Sequence, residues 1–235
     1  IDTRDNRMKQ TATITVEDVS EIQEMYLDIE RNQLIAVCDG YVGGKWNDDD
    51  YGYGQRANTT AVTYDISDRE NPKEVGRVSQ SGYYNSSRIA DGYLYLFSDY
   101  YVTLDGITAK NPKSYIPLVN DNLIKETDIC LPSISKADMY SIITSVSLEN
   151  PNETAHSKAL LADGGNLYVS NDNIYFYENV WQYSGKDVTT IRKVSYESGK
   201  LTAGAQCKID GYINDSFSID EYDGYLRVVV TDGDT

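Results

Sequence analysis

His156 is the single histidine in a chain of 235 residues, and Ser157 follows it directly. A serine–histidine–carboxylate relay needs those residue types. No Gly-x-Ser-x-Gly turn accompanies them to expose a nucleophile, so His156 is expected to be a turn or surface histidine without catalytic duty. A histidine-based metal site lacks further histidines. The chain carries no Gly-x-x-x-x-Gly-Lys phosphate loop and no Gly-x-Gly-x-x-Gly, and Gly52-Tyr53-Gly54 opens no strand-to-helix unit. Cys38, Cys130 and Cys207 include no Cys-x-x-Cys pair for zinc and cannot build a disulfide framework. They are expected to be unbridged. Cys38 and Cys207 sit in apolar, strand-like runs and read as buried thiols.

Carboxylates are the next candidates. Asp48, Asp49 and Asp50 follow Asn47 and put several hard oxygen ligands on one segment, as Ca²⁺ prefers. The run lacks the glycine and the closing glutamate of an EF-hand loop. The expectation is therefore a solvated acidic loop and no cofactor, with Ca²⁺ at Asp48, Asp49 and Asp50 as the alternative. Asp220, Glu221 and Asp223 flank a hairpin turn and are expected to cap turn amides. Paired carboxylates could serve glycoside hydrolysis. With 37 Asp and Glu against 21 Lys and Arg, however, carboxylates are everywhere and their presence singles out no catalytic residue. The same net charge of −16 repels nucleic-acid phosphate and anionic headgroups, which excludes nucleic acid as a partner. No segment approaches the ~20 apolar residues of a membrane span, so direct membrane contact is not expected either.

Aromatic residues carry more information. There are 21 tyrosines beside 3 Phe and 2 Trp. Tyrosine joins a large apolar ring to a polar tip, which suits half-wet strands and binding faces. Most should pack between strands. The suggestive clusters are Tyr51 and Tyr53, Tyr83 and Tyr84, Tyr100 and Tyr101, and Trp181 with Tyr183; of these, Tyr51, Tyr53 and Trp181 fall in loop-like segments and are the ligand-binding candidates, able to stack on a sugar or hold a peptide. Four Asn-x-Ser/Thr sequences, at Asn58, Asn85, Asn152 and Asn214, are expected to carry no glycan.

These residues need a scaffold, and its signature is β. Helical periodicity is scarce. Short alternating runs bounded by Gly, Asn, Asp and Pro recur about fourteen times, Tyr93–Ser98 and Tyr225–Thr231 among them. Ala61–Ile66, Ile143–Leu148 and Ile191–Tyr196 align without gaps, each with a large or apolar residue at its fourth and sixth positions. A two-strand element also recurs, as Met25–Cys38, Ser86–Ser98, Asn166–Glu178 and Ser216–Thr231. Asp91-Gly92 and Asp223-Gly224 are hairpin dipeptides, each followed by Tyr-Leu. Stacking the elements gives a four-strand unit of about 45 residues, the period of a propeller blade. The expected architecture is all-β: a β-propeller fragment of about three to four four-stranded blades in an incomplete ring. The blades are placed at about 22–80, 82–163 and 165–209, with a partial one at 211–231 and an orphan strand at 11–16. Val62, Tyr64, Leu94, Val146, Val194, Leu226 and Val228 lie on repeated strand positions and should be buried. Long stretches at 39–57 and 99–139 interrupt the first two units, and Ser114–Lys125 reads as a short helix. An open arc would expose blade edges and favour self-association.

Several segments carry a family resemblance. They are Tyr64-Asp-Ile-Ser-Asp-Arg-Glu-Asn-Pro-Lys-Glu-Val-Gly-Arg77, Gln80-Ser-Gly-Tyr83, Ser87-Arg88, Gly92-Tyr-Leu-Tyr-Leu96 and Ser216-Phe-Ser-Ile-Asp-Glu-Tyr-Asp-Gly-Tyr-Leu-Arg227. Together they resemble bacterial and archaeal secreted proteins with a C-terminal β-propeller distantly related to WD40 repeats. Tyr115-Ile-Pro117 and Asn166-Leu-Tyr-Val-Ser170 fit the same pattern. The resemblance implies a secreted or surface-anchored propeller, a targeting segment upstream of this chain, and no catalytic motif to carry over. The function it leads us to expect is non-enzymatic binding of a protein or glycan at the cell surface. The alternatives are a polysaccharide hydrolase or lyase using carboxylates, and a structural spacer in a larger surface protein.

Overall fold

The computed structural model describes residues 1–3, 7–41, 57–102, 107–131, 137–162, 165–181 and 186–232. Three antiparallel meanders follow one another. The first joins β1 (Glu21–Asp28), β2 (Gln33–Tyr41), β3 (Ala57–Asp65) and β4 (Lys73–Ser81) in consecutive order. The second joins β5 (Tyr83–Ala90), β6 (Tyr93–Tyr101), β10 (Met139–Ser147) and β11 (Thr154–Ala162). The third joins β12 (Asn166–Val169), β13 (Asn173–Val180), β14 (Val188–Glu197) and β15 (Lys200–Asp210). A hairpin of β16 (Ile219–Tyr222) and β17 (Tyr225–Val228) comes last. Asp91-Gly92 and Asp223-Gly224 turn their hairpins with positive φ at both residues, the geometry that matches the twist of the flanking strands.

No sheet can cover its own faces, so the core is divided into layers between sheets. Val37, Ala61 and Val78 of the first sheet meet Leu94, Leu96 and Ile142 of the second. On the opposite face of the second sheet, Tyr95, Phe97 and Ile143 meet Ile174, Phe176 and Val194 of the third. Tyr175, Tyr177 and Ile191 then meet Ile219 and the half-buried Leu226 and Val228 of the last hairpin. Val62, Tyr64, Leu94, Val146 and Val194 are buried as their strand positions require. Leu226 and Val228 are only half-buried, because their hairpin has one covered face.

Four expectations are corrected. Residues 11–16 form no strand. Their side chains alternate, but among the described residues no strand edge accepts their main chain. Ile14 and Val16 instead line an apolar groove of about 820 Å³ with Ile22, Met25 and Leu27 of β1. They make no ladder with the last hairpin, where β16 pairs with β17, and the ring is not closed, as the expected incomplete ring requires. Ser114–Lys125 is not a helix. Its main chain forms a small hairpin, β7 (Leu118–Val119) and β8 (Asn122–Leu123), which extends the first sheet at β4. Short 3-10 turns at Pro112–Ser114 and Glu126–Asp128 flank that hairpin, and β9 (Ile129–Cys130) adds in parallel to β11. Cys207 is exposed, because β15 is an outer strand whose alternation faces solvent over most of its length. All three cysteines are unbridged, with Cys38 buried. Finally, His156 lies on β11 and is neither a turn residue nor fully surface-exposed. Among the described residues no helix is long and apolar enough to cross a membrane.

Candidate ligand-binding site at the ends of the second strands

The second strands β2, β6 and β13 run in the same direction through their sheets, so their C-terminal ends share one side of the molecule. Six residues past Gln33, Tyr93 and Asn173, they carry Asp39, Asp99 and Asn179. The register places these three opposite Thr59, Ser141 and Thr189 on the third strands. Each hydroxyl donates across the pair: Thr59 to Asp39 at 3.4 Å, Ser141 to Asp99 at 3.0 Å and Thr189 to Asn179 at 2.8 Å.

The same side chains tie each sheet to the next. Asp39 Oδ1 accepts the Tyr84 main-chain N–H at 2.7 Å. Asn85 donates through Nδ2 both to Asp99 at 2.6 Å and to the Gly165 carbonyl at 3.1 Å. Asn179 accepts the Ile213 N–H and donates to the Ile213 carbonyl, at 3.1 and 2.8 Å. Gly82 and Gly211 begin the crossings with φ of 96° and 92°, a region open to glycine. Their carbonyls accept from Thr59 and Thr189 at 3.0 and 2.8 Å. Burial pushes the Asp39 carboxyl above its ordinary range, against the hydrogen bonds from Tyr84, Gln23 and Thr59. Burial does the same to Asp99, against those from Asn85 and Ser141.

A second set of links runs along the innermost strands. Tyr26, Arg88 and Tyr168 stand opposite Ile35, Tyr95 and Tyr175 in equivalent register. Each reaches into the following sheet. The Tyr26 hydroxyl bonds Ser87 Oγ at 2.9 Å. Arg88 donates to the Ser170 carbonyl at 2.8 Å. Tyr168 Oη accepts the Glu221 N–H at 3.2 Å. Glu221 also accepts from Asn173 at 2.7 Å and from Ser170, so it holds the last hairpin in place rather than capping its turn. Glu24 accepts from Tyr84 and Ser87 at 2.5 and 3.0 Å. Burial, and then the bond to Glu24, raise the Tyr84 phenol.

Two residues beyond each clamp the chain carries an aromatic side chain: Tyr41, Tyr101 and Trp181. Tyr41 and Tyr101 end their strands before long connections, and Trp181 opens the shorter link from β13 to β14. Tyr41 lines a polar groove of about 510 Å³ with Asn58, Arg77, Ser79 and Asn120. Tyr101 is 51% exposed and Trp181 65%. The Trp181 ring lies 4.8 Å from that of Tyr212, tilted by 47°, and Tyr212 is held by paired main-chain bonds to Thr231. Of the aromatic candidates named from sequence, Trp181 thus lies just past β13 with its ring exposed. Tyr51 and Tyr53 lie outside the described residues, as do Asp48, Asp49 and Asp50. Among the described residues no group of three or more His, Cys, Asp or Glu could hold a metal ion. The clamps and one further aromatic, Tyr41, escaped the sequence reading. Their signal was an Asp or Asn six residues into each second strand with an aromatic two residues later.

A family model described as a beta propeller domain matches residues 1–235. The chain belongs to the beta propeller domain family. The three meanders are its blades, and the two sets of links fasten each blade to the next. Among solved structures, an acylaminoacyl peptidase from Pyrococcus horikoshii aligns with 77% of the chain at 8% identity and a TM-score of 0.29. The propeller spans 32% of that peptidase chain, and so distant a likeness transfers no chemistry. Comparison with curated proteins found no match.

Proposed function

We propose that this propeller is a non-catalytic binding module, displayed outside the cell, that holds a glycan through the side of the blades bearing Tyr41, Tyr101 and Trp181. The observation that carries the reading is the repetition of an aromatic residue at one register position in all three blades, each where the chain leaves its second strand. Loops on a rigid scaffold are where binding residues concentrate, and exposed rings with a polar groove nearby suit a ligand that has both apolar faces and hydroxyls. The net charge of −16 favours a neutral or cationic ligand over an anionic polymer.

A hydrolase needs carboxylates free to act on substrate. Among the described residues the half-buried Asp39 and Asp99 serve the clamps, and the buried Glu178 forms an ion pair with Arg192 at 2.9 Å. The resemblance to secreted propellers supports the placement outside the cell. A glycan and cell-wall polysaccharide array probed with the protein tests the reading. We expect binding to neutral polymers, lost in Trp181→Ala and Tyr101→Ala while the fold persists. Glycan binding that ignores both substitutions would refute the site. A blank array together with capture by a defined surface protein would move the reading to a protein ligand.

A further inference from the structure

The turn joining β14 to β15 is docked into the second blade rather than left in solvent. Ser198 and Gly199 both take positive φ, 47° and 78°, which aims the main chain of Gly199 at its neighbour. Its N–H donates to Tyr95 Oη at 3.0 Å, and its carbonyl accepts from Ser145 Oγ. A Cβ on Gly199 would stand 2.4 Å from the Tyr93 ring, so only glycine enters this slot. Two residues on, Leu201 N–H donates to His156 Nδ1 at 2.9 Å, and Leu201 itself is buried.

That contact defines the histidine. A main-chain N–H can only donate, so Nδ1 must hold its lone pair and neutral His156 carries its proton on Nε2. The Nε2 proton faces Asp128 Oδ1 at 3.2 Å, and the same oxygen accepts from Lys158 Nζ at 3.1 Å. Asp128 belongs to the 3-10 turn that follows the β7–β8 hairpin. One imidazole thus joins that insertion, the second blade and the third.

We propose that His156 is a proton-operated latch between the second and third blades. When a proton from solvent takes the Nδ1 lone pair, two N–H groups face each other and the Leu201 bond opens. Asp128, from the insertion, attracts an imidazolium, and Lys158, on the same strand, repels one. Lys125 stands at the rim of the groove of about 260 Å³ beside the ring. Among the described residues, β10 contributes Ser145, bonded to the main chain of His156, and β15 the Leu201 N–H. The Nε2–H bond to Asp128 exists in both protonation states, so Nδ1 is the atom that switches. The side chain is 27% exposed, which admits the proton.

Hydrogen exchange of the Leu201 amide tests the latch on the intact protein. Its protection relative to an unstructured chain is measured from about pH 8 to about pH 5, the range of ordinary imidazole titration, while the His156 ring proton shift follows protonation. We expect protection to fall about tenfold, the equivalent of one neutral hydrogen bond, in step with the ring titration, and that of Tyr177 in β13 to stay constant. In His156→Asn, Oδ1 can accept from Leu201 but cannot titrate, so protection should persist at both ends. Constant Leu201 protection in the wild type while the ring titrates overturns the proposal, as does an equal fall in His156→Asn.

Discussion

The blades end their second strands on the same frame but distribute charge differently. The first carries Cys38-Asp39, the second Ser98-Asp99 and the third Glu178-Asn179. In the first two blades the carboxylate faces forward into the next junction and its neighbour is neutral. In the third, an amide takes the forward position and the carboxylate moves one residue back, where alternation turns it toward the second blade. The difference shows what each group can bond. A carboxylate only accepts, so Asp39 and Asp99 must be surrounded by donors: the Tyr84 N–H and Gln23 in one case, Asn85 and Ser141 in the other. An amide accepts and donates, so Asn179 pairs with both main-chain groups of Ile213 as a strand would. The displaced carboxylate, Glu178, is 4% exposed and needs Arg192, whose guanidinium also donates to the Leu161 carbonyl at 3.3 Å.

The largest effect should come from breaking that buried pair. Arg192→Met keeps the side-chain volume and leaves Glu178 buried without its cation, which costs about 3–5 kcal/mol. Adding Glu178→Gln should return most of that loss. Urea unfolding of the two single variants and the double variant measures it, and additive losses would show that the pair is not coupled.

Next are the hydroxyls under the clamps. Thr189 is fully buried and shares its proton between Asn179 Oδ1 and the Gly211 carbonyl, both at 2.8 Å. Thr189→Val strips both acceptors at nearly constant shape and should cost about 2 kcal/mol. Thr59→Val meets the longer 3.4 and 3.0 Å contacts of the first junction and should cost about 1 kcal/mol. Equal losses would mean that the amide and carboxylate junctions draw equally on their hydroxyls.

How much of this was legible follows from how local each signal is. The strands and their hairpins could be read because alternation and Asp-Gly turns act within a few residues, as in Asp91-Gly92 between β5 and β6. The burial of Val62 and Leu94 came from the same period of two. Residues 11–16 alternate just as well, but a strand also needs an edge to pair with, and sequence carries no record of a missing one. The insertion misled for a related reason: Leu118, Val119, Asn122 and Leu123 look helical in isolation, yet Asn120 and Asp121 take positive φ and turn the chain into a hairpin on β4. The clamps depend on residues distant in sequence: Asp39 meets Thr59 and Tyr84, 20 and 45 residues away. Only superposing the blades brings Asp39, Asp99 and Asn179 to one position. Adjacent tyrosines do not show in sequence which of them faces solvent: Tyr101 is exposed, whereas Tyr100 is buried and stacks on Tyr140.

Replacing each forward carboxylate with the third blade's amide should separate the first two junctions. In Asp99→Asn the new Nδ2 faces Asn85 Nδ2 or Ser141. Asn85 can turn its oxygen inward only by giving up the Gly165 carbonyl. A loss of about 1–2 kcal/mol is expected, the cost of one buried donor left unmatched. Thermal unfolding beside Asp99→Ala reads it, and an Asn variant as damaging as Ala would mean that no rearrangement is available.

Asp39→Asn should have the smallest effect on stability and the clearest effect on its pH dependence. Its Oδ1 can keep the Tyr84 N–H and Thr59 hydroxyl. Its Nδ2 then meets Gln23, an exposed side chain that can rotate its amide to offer oxygen. The change in stability near neutral pH should stay within about 0.5 kcal/mol. Burial raises the Asp39 carboxyl in the folded state, so the folded protein binds this proton more tightly than the unfolded chain does. The stability linked to that proton is fully present below the unfolded value and is lost as pH rises through the folded one. Asp28, Asp128 and Glu221 have the opposite sign. Burial opposes their ionisation, but hydrogen bonds from Arg31, from Lys158 and His156, and from Ser170 and Asn173 hold them below their ordinary values. Their contributions are present near neutral pH and lost on acidification. Removing Asp39 as a titrating group takes away one contribution that offsets this acid loss. Asp39→Asn should therefore lose more stability than the wild type as pH is lowered from about 7 to about 3, across the carboxylate range. Parallel unfolding curves for the two proteins over that range would show that the Asp39 carboxyl titrates alike in folded and unfolded chains.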